Sequence, residues 1–127
     1  MVRALFWLAT TRPMHELSLM ESLGRRVLEV AEQEGAERVV AIRLRIGSLS
    51  GVDPEALRFA AVVVLAGTRA AGAPLTIEAI PAAFWCAPCA AEFEAGDGNC
   101  LCPRCGTLSR QLLRGRELSL VAVDLLP

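Results

Sequence analysis

Four cysteines constrain this chain more than any other feature. They form two pairs, Cys86-Ala87-Pro88-Cys89 and Cys102-Pro103-Arg104-Cys105, with twelve residues between the pairs. A tight turn aims two sulfurs with this spacing at a single ion, and two such turns complete a tetrahedron. Zn²⁺ accepts that geometry and favours thiolates. Gly106, directly after the second pair, permits the positive φ with which backbone amides turn toward the sulfurs. A site with four protein sulfurs leaves no position for water, so Cys86, Cys89, Cys102 and Cys105 are expected to hold a closed, structural zinc ion rather than a catalytic one.

The same residues admit three other readings. Disulfides need an oxidising compartment, and all five cysteines of the 127-residue chain fall within twenty residues instead of being spread along it. A redox pair belongs at the start of a helix beside a strand, whereas Pro88 and Pro103 sit in turn-like settings. An iron site of the rubredoxin kind uses the same four thiolates and stays open; a visible spectrum separates it from zinc. Cys100 stands outside the paired pattern and is expected to be a free or part-buried thiol.

Around the cysteines, the chain reads as one small domain carrying an insert. Leu17, Met20, Leu23, Val27, Val30 and Ala31 recur at three- and four-residue steps, which predicts an amphipathic helix from Glu16 to about Gln33, stopped near Gly35. Val40, Ile42, Leu44 and Ile46 alternate with polar or small residues, which predicts a half-buried strand. After the loop Gly47–Gly51, Asp53 suits a helix cap and Pro54 the first helical position. That predicts a second helix from Pro54 to about Leu65. Strands are expected at Leu75–Ile80 and Glu117–Leu125, on either side of the cysteine module.

The fold class is therefore α+β: two helices packed on a small three-stranded mixed sheet, with an inserted zinc-ribbon module. The expected units are an N-terminal extension at 1–13, an α/β domain formed by 14–82 plus 112–127, and a zinc-binding domain at 83–111. The edges of such a sheet leave room for a homodimer.

Charge narrows the function classes. Thirteen basic and fourteen acidic side chains nearly cancel, and there is no basic stripe with interleaved aromatics, so nucleic acid is not the expected partner. The arginines at 104, 110, 114 and 116 near the cysteine module suit solubility or a protein contact. The apolar run Ala4–Ala9 is short for a signal peptide and far too short to span a bilayer; a cytoplasmic protein with no membrane partner is expected. No second histidine, open metal site or nucleophile–base pair supports an enzyme.

The one histidine is His15, in Met14-His15-Glu16-Leu17-Ser18-Leu19. An imidazole with nearby backbone nitrogens suits square-planar Ni²⁺ or Cu²⁺, although a lone histidine is more often a surface or capping residue.

The Met14–Leu19 motif resembles the N-terminus of the HypA/HybF family of hydrogenase-maturation nickel metallochaperones. The similarity continues in register through Ile46–Leu57, Ala66–Thr68, Ala73–Glu78, the paired cysteines and Gly115–Leu118. The resemblance implies that Ni(II) binds at Met14, His15 and Glu16. His15 would be the side-chain ligand, with main-chain nitrogens or a carboxylate contributed by its neighbours. It also implies delivery of nickel to the large subunit of [NiFe]-hydrogenase with a HypB-type GTPase, and a structural role for zinc.

The chain departs from the family in having thirteen residues ahead of Met14, which turn the amine of Met14 into an amide. The expectation is that the working chain begins at Met14. The alternative function, from another class, is a zinc-ribbon module that binds protein or nucleic acid, with His15 incidental.

Overall fold

The computed structural model describes residues 2–5, 16–95 and 98–127, the first four of these as backbone only. The helices fall where the apolar spacing and caps put them. Helix α1 spans Glu16–Gln33 and buries Leu19, Met20, Leu23, Gly24, Val27, Val30 and Ala31. Leu17, expected on the inner face, is 41% exposed. Leu19 takes the buried position, because the inner stripe drifts around a helix of 3.6 residues per turn.

Helix α2 spans Pro54–Val64. Asp53 caps it, its side chain accepting from the backbone N–H of Glu55 at 3.0 Å, and Pro54 opens the first turn. A Cβ on Gly24 would lie 3.3 Å from Leu65 and Val64, so glycine in α1 lets α2 approach closely. The outward face of α2 leaves Phe59, Val62 and Val63 exposed.

Strands β1 (Val2–Leu5), β2 (Arg38–Gly47), β3 (Leu75–Ile80) and β7 (Leu118–Leu126) form one sheet in the order β1-β7-β2-β3. β2 runs parallel to β3 and antiparallel to β7. This is the expected small mixed sheet with a fourth strand added. The sequence reading places no strand ahead of residue 14, yet β1 pairs antiparallel with β7, from Val2 opposite Leu125 to Leu5 opposite Ala122. Four residues are too few to show a strand period; only the neighbouring strand reveals their pairing.

A second difference lies at the start of β2. Val39 pairs with Leu125 and Ala41 with Asp124, so Val40 is the extra residue of a bulge. The bulge reverses the alternation. Val39 is 1% exposed, whereas Val40, expected inside, is 38% exposed. Ile42, Leu44 and Ile46 face the core as the alternation predicts. That core lies between the sheet and the two helices, with Met20, Leu23, Val27, Leu57, Leu65, Ile42, Leu120 and Val123 among its members.

Strands β4 (Ala83–Cys86), β5 (Ala91–Glu94) and β6 (Leu112–Arg114) make a second sheet, in the order β5-β4-β6. It has a small core of its own. Ala82, Phe84 and Ala95 are buried there with Leu49, Phe93, Cys100 and Leu112 packed around them. Phe84 and Phe93, opposed across the β4–β5 pair, stack at 5.8 Å.

Candidate metal centre

The second sheet presents two chain reversals to each other. Cys86 closes β4, and the turn 87–90 carries Cys89 back into β5. On the other side, the N–H of Gly106 donates to the carbonyl of Cys102 at 2.8 Å, closing the turn that holds Cys105. Gly106 has φ 73°, as the sequence predicts. The first turn ends instead on Ala90 at φ 51°, in a region that side chains rarely adopt.

The four sulfurs of Cys86, Cys89, Cys102 and Cys105 all lie within 4.8 Å of one another. Two of the separations are 3.5 Å, between Cys86 and Cys105, and 3.9 Å, between Cys89 and Cys102. Around a tetrahedral ion with metal–sulfur bonds of about 2.3 Å, sulfurs stand about 3.8 Å apart. The donor set and spacing therefore fit a structural zinc ion, and no fifth protein group is needed.

Local electrostatics point the same way. Backbone amides aim at the sulfurs: Cys89 toward Cys86, Cys105 and Arg104 toward Cys102, and Thr107 toward Cys105. The Thr107 hydroxyl and amide hold the Cys105 thiol down at about 6. The amides of Cys105 and Arg104 lower Cys102. Cys89 is pushed up to about 12 by the neighbouring sulfurs of Cys105 and Cys86. Four thiolates cannot share so small a volume without a cation; a divalent ion reverses the repulsion and deprotonates its ligands. Cys100 is half-buried in the small core and stands outside the sulfur cluster.

The module is seated on the main sheet by the segment Gly47–Leu49. The Ser48 N–H donates to the Ile80 carbonyl at 2.9 Å, and the Leu49 N–H to the Gly115 carbonyl at 2.7 Å. The Ser48 hydroxyl accepts from the Ala82 N–H at 2.9 Å, and Leu49 packs into the small core. The sequence marks this stretch only as a loop. Its seating role is a non-local contact that no local pattern reveals.

Met14 and His15 lie outside the described residues. Glu16, the third member of that motif, opens α1, and its carboxylate accepts from the Asp53 backbone N–H at 3.1 Å. The starts of the two helices are thus tied together through Glu16. Among the arginines near the ribbon, Arg114 makes two hydrogen bonds to the Glu92 carboxylate, at 2.9 and 3.0 Å. That charge is matched within the module.

The family model described as "Hydrogenase/urease nickel incorporation, metallochaperone, hypA" matches residues 14–125. This chain belongs to the HypA family. A hydrogenase maturation factor HypA from Chloroflexus aurantiacus is 40% identical over 112 residues, 87% of this chain and 98% of the relative. A HypA from Acidithiobacillus ferrooxidans is 40% identical over 111 residues, with the same coverage. The fold is similar to the solution structure of the nickel metallochaperone HypA from Helicobacter pylori. The TM-score is 0.61 at 23% identity, covering 89% of this chain and 98% of that one. Another HypA solution structure gives a TM-score of 0.64 at 22% identity.

The family assignment makes the protein a nickel metallochaperone of hydrogenase maturation. The four-cysteine cluster is compatible with its structural zinc site. Among the described residues no helix is long and apolar enough to cross a membrane.

Proposed function

We propose that this protein binds Ni(II) at the segment Met14–Glu16 and hands it on for insertion into the large subunit of a [NiFe]-hydrogenase. His15 is the side-chain ligand in this reading, with Met14 and Glu16 contributing main-chain nitrogens or a carboxylate. The observation that carries it is the family match starting at residue 14, which sets Met14-His15-Glu16 at the head of the shared sequence. Transfer requires nickel to leave, and a few exposed ligands release an ion more readily than a closed cage does. A HypB-type GTPase is the proposed partner for delivery, and the proposed compartment is the cytoplasm. The protein acts by binding and transfer, without catalysis.

Zn(II) is proposed to sit on Cys86, Cys89, Cys102 and Cys105 and to pin the ribbon; it stays with the protein while nickel passes through. In this division, 83–111 is the zinc-binding unit, 14–82 plus 112–127 is the nickel-binding unit, and 1–13 is an extension ahead of both. The sulfur separations of 3.5 and 3.9 Å and the amides directed at the sulfurs support the zinc assignment.

Nickel titration calorimetry tests the reading on two chains, one starting at Met1 and one at Met14, each with and without His15→Ala. Binding of one nickel ion per chain, lost in both His15→Ala variants, is the expected result. Full affinity retained without the imidazole would remove His15 from the mechanism.

A further inference from the structure

The four cysteines of the metal centre are not equally open to solvent. Cys86 and Cys102 are buried, at 2% and 5% exposure, and Cys89 is half-buried. Cys105 is exposed, on a turn where residues 103–108 are all exposed. A Cβ on the next residue, Gly106, would meet nothing within 4 Å, so the space beside this turn is open.

The exposed cysteine touches a buried one. Cys105 Sγ lies 3.5 Å from the Sγ of Cys86, at the end of β4. Cys102 has a sulfur contact of its own, with Cys89 at 3.9 Å. A disulfide bond of about 2.05 Å requires Cys105 and Cys86 to close by about 1.5 Å. None of residues 103–108 belongs to the small core, so the exposed turn can move that far without disturbing it.

We propose that Cys105 is a site of oxidation by peroxide, with Cys86 as its resolving partner, and that the bond between them opens the metal cage. The inference rests on zinc occupying the four cysteines. A bound divalent ion keeps them as thiolates, and the thiolate is the nucleophile. Cys105 Sγ attacks one oxygen of hydrogen peroxide; the S–O bond forms, the O–O bond breaks and hydroxide leaves. Cys86 Sγ then attacks the Cys105 sulfur; the S–S bond forms, the S–O bond breaks and a second hydroxide leaves. Two thiolates together lose two electrons, and one peroxide is reduced to two hydroxides. Burial of Cys86 fixes the order, with the exposed sulfur reacting first. Cys89 and Cys102 keep their thiolates, but two sulfurs no longer make a closed four-sulfur cage.

The same exposure makes the step reversible. A dithiol reaches Cys105 Sγ on the open turn, displaces the Cys86 thiolate, and then releases Cys105 as it closes to its own disulfide.

The zinc-loaded full chain and its Cys100→Ser variant test this with hydrogen peroxide. A chromogenic indicator follows zinc release, and mass spectrometry after thiol alkylation maps the disulfides. Both proteins are expected to release one zinc ion and form one Cys86–Cys105 bond per peroxide consumed. A dithiol with added zinc should restore the original metal content. Zinc retained under peroxide, a first bond between any other two cysteines, or a bond between chains would overturn the proposal. So would a requirement for Cys100, which would then be the resolving thiol; mapping on the unaltered chain decides this even if the variant does not fold. A chain purified without zinc would overturn the zinc assignment itself, whereas a zinc-loaded chain that resists peroxide overturns only the oxidation site.

Discussion

The carbonyl oxygen of Gly115 lies 2.1 Å from where a Cβ on Gly47 would stand. The end of β2 and the bend before β7 therefore meet backbone to backbone, and the same carbonyl accepts from the Leu49 N–H at 2.7 Å. Gly115 in turn has φ 124°, with the Cα of Ala82 2.5 Å from its own ideal Cβ position. The cysteine module is seated through this three-way contact.

Gly47→Ala should therefore destabilise the whole chain, because the obstacle is main chain and cannot rotate away. A loss of about 2–3 kcal/mol is expected, read as a lower urea midpoint. Gly51→Ala makes an informative contrast, since nothing lies within 4 Å of its Cβ position. Its cost should come only from its φ of 78°, about 1 kcal/mol.

Ala90 occupies in the first cysteine turn the left-handed conformation that Gly106 occupies in the second. Ala90→Gly should relieve that strain and stabilise the zinc-loaded module. The gain is expected at about 0.5–1 kcal/mol, because the extra freedom of glycine in the unfolded chain offsets part of it. Slower zinc loss to a chelator would bear this out, and faster loss would contradict it.

Cys102→Ser should abolish stoichiometric zinc, since it removes one of four converging sulfurs. Cys100→Ser should leave zinc content unchanged and cost only the packing of a small half-buried side chain, about 1 kcal/mol or less. Metal analysis of the two purified variants separates these outcomes. Chelation of zinc from the unaltered chain should loosen the second sheet and spare the main core, which has its own apolar cluster.

Acid should weaken the ribbon through Glu92. Hydrogen bonds from Arg114, and then its charge, hold the Glu92 carboxyl below its usual 4.5. A folded value below the unfolded one means the stabilisation is complete above the unfolded value. It is lost as pH falls through the lowered one. Both side chains are half exposed, at 50% and 39%, so the effect is small and sensitive to salt. A double-mutant cycle with Glu92→Gln and Arg114→Met should show coupling at neutral pH that vanishes in acid and in high salt.

Much of this architecture was legible in the residues. The spacing from Met20 to Ala31 announced α1 and its inner face. Asp53 and Pro54 announced α2 despite the valines within it, because cap and first-turn preferences are local effects. The cysteine spacing announced the cluster of four sulfurs. The inward position of Leu17, the inward position of Val40 and the absence of a fourth strand were expectations that failed. Each depended on a neighbour distant in sequence: the drift of the helix face across the core, the bulge against β7, and the pairing of Val2–Leu5 with that strand.

By itself, then, the sequence determined the two helices, the strands β2, β3 and β7, the gathering of four cysteines and the family, because caps, periodicity and cysteine turns act over a few residues. Tertiary structure alone decided which edge β1 closes, that Gly47 and Gly115 must both be glycine, and that Ser48 and Leu49 carry the cysteine module. Those features exist only where backbones far apart in the chain come within hydrogen-bonding distance. No local pattern encodes such an approach, since the steric and hydrogen-bonding terms that fix it arise only once the chain has packed.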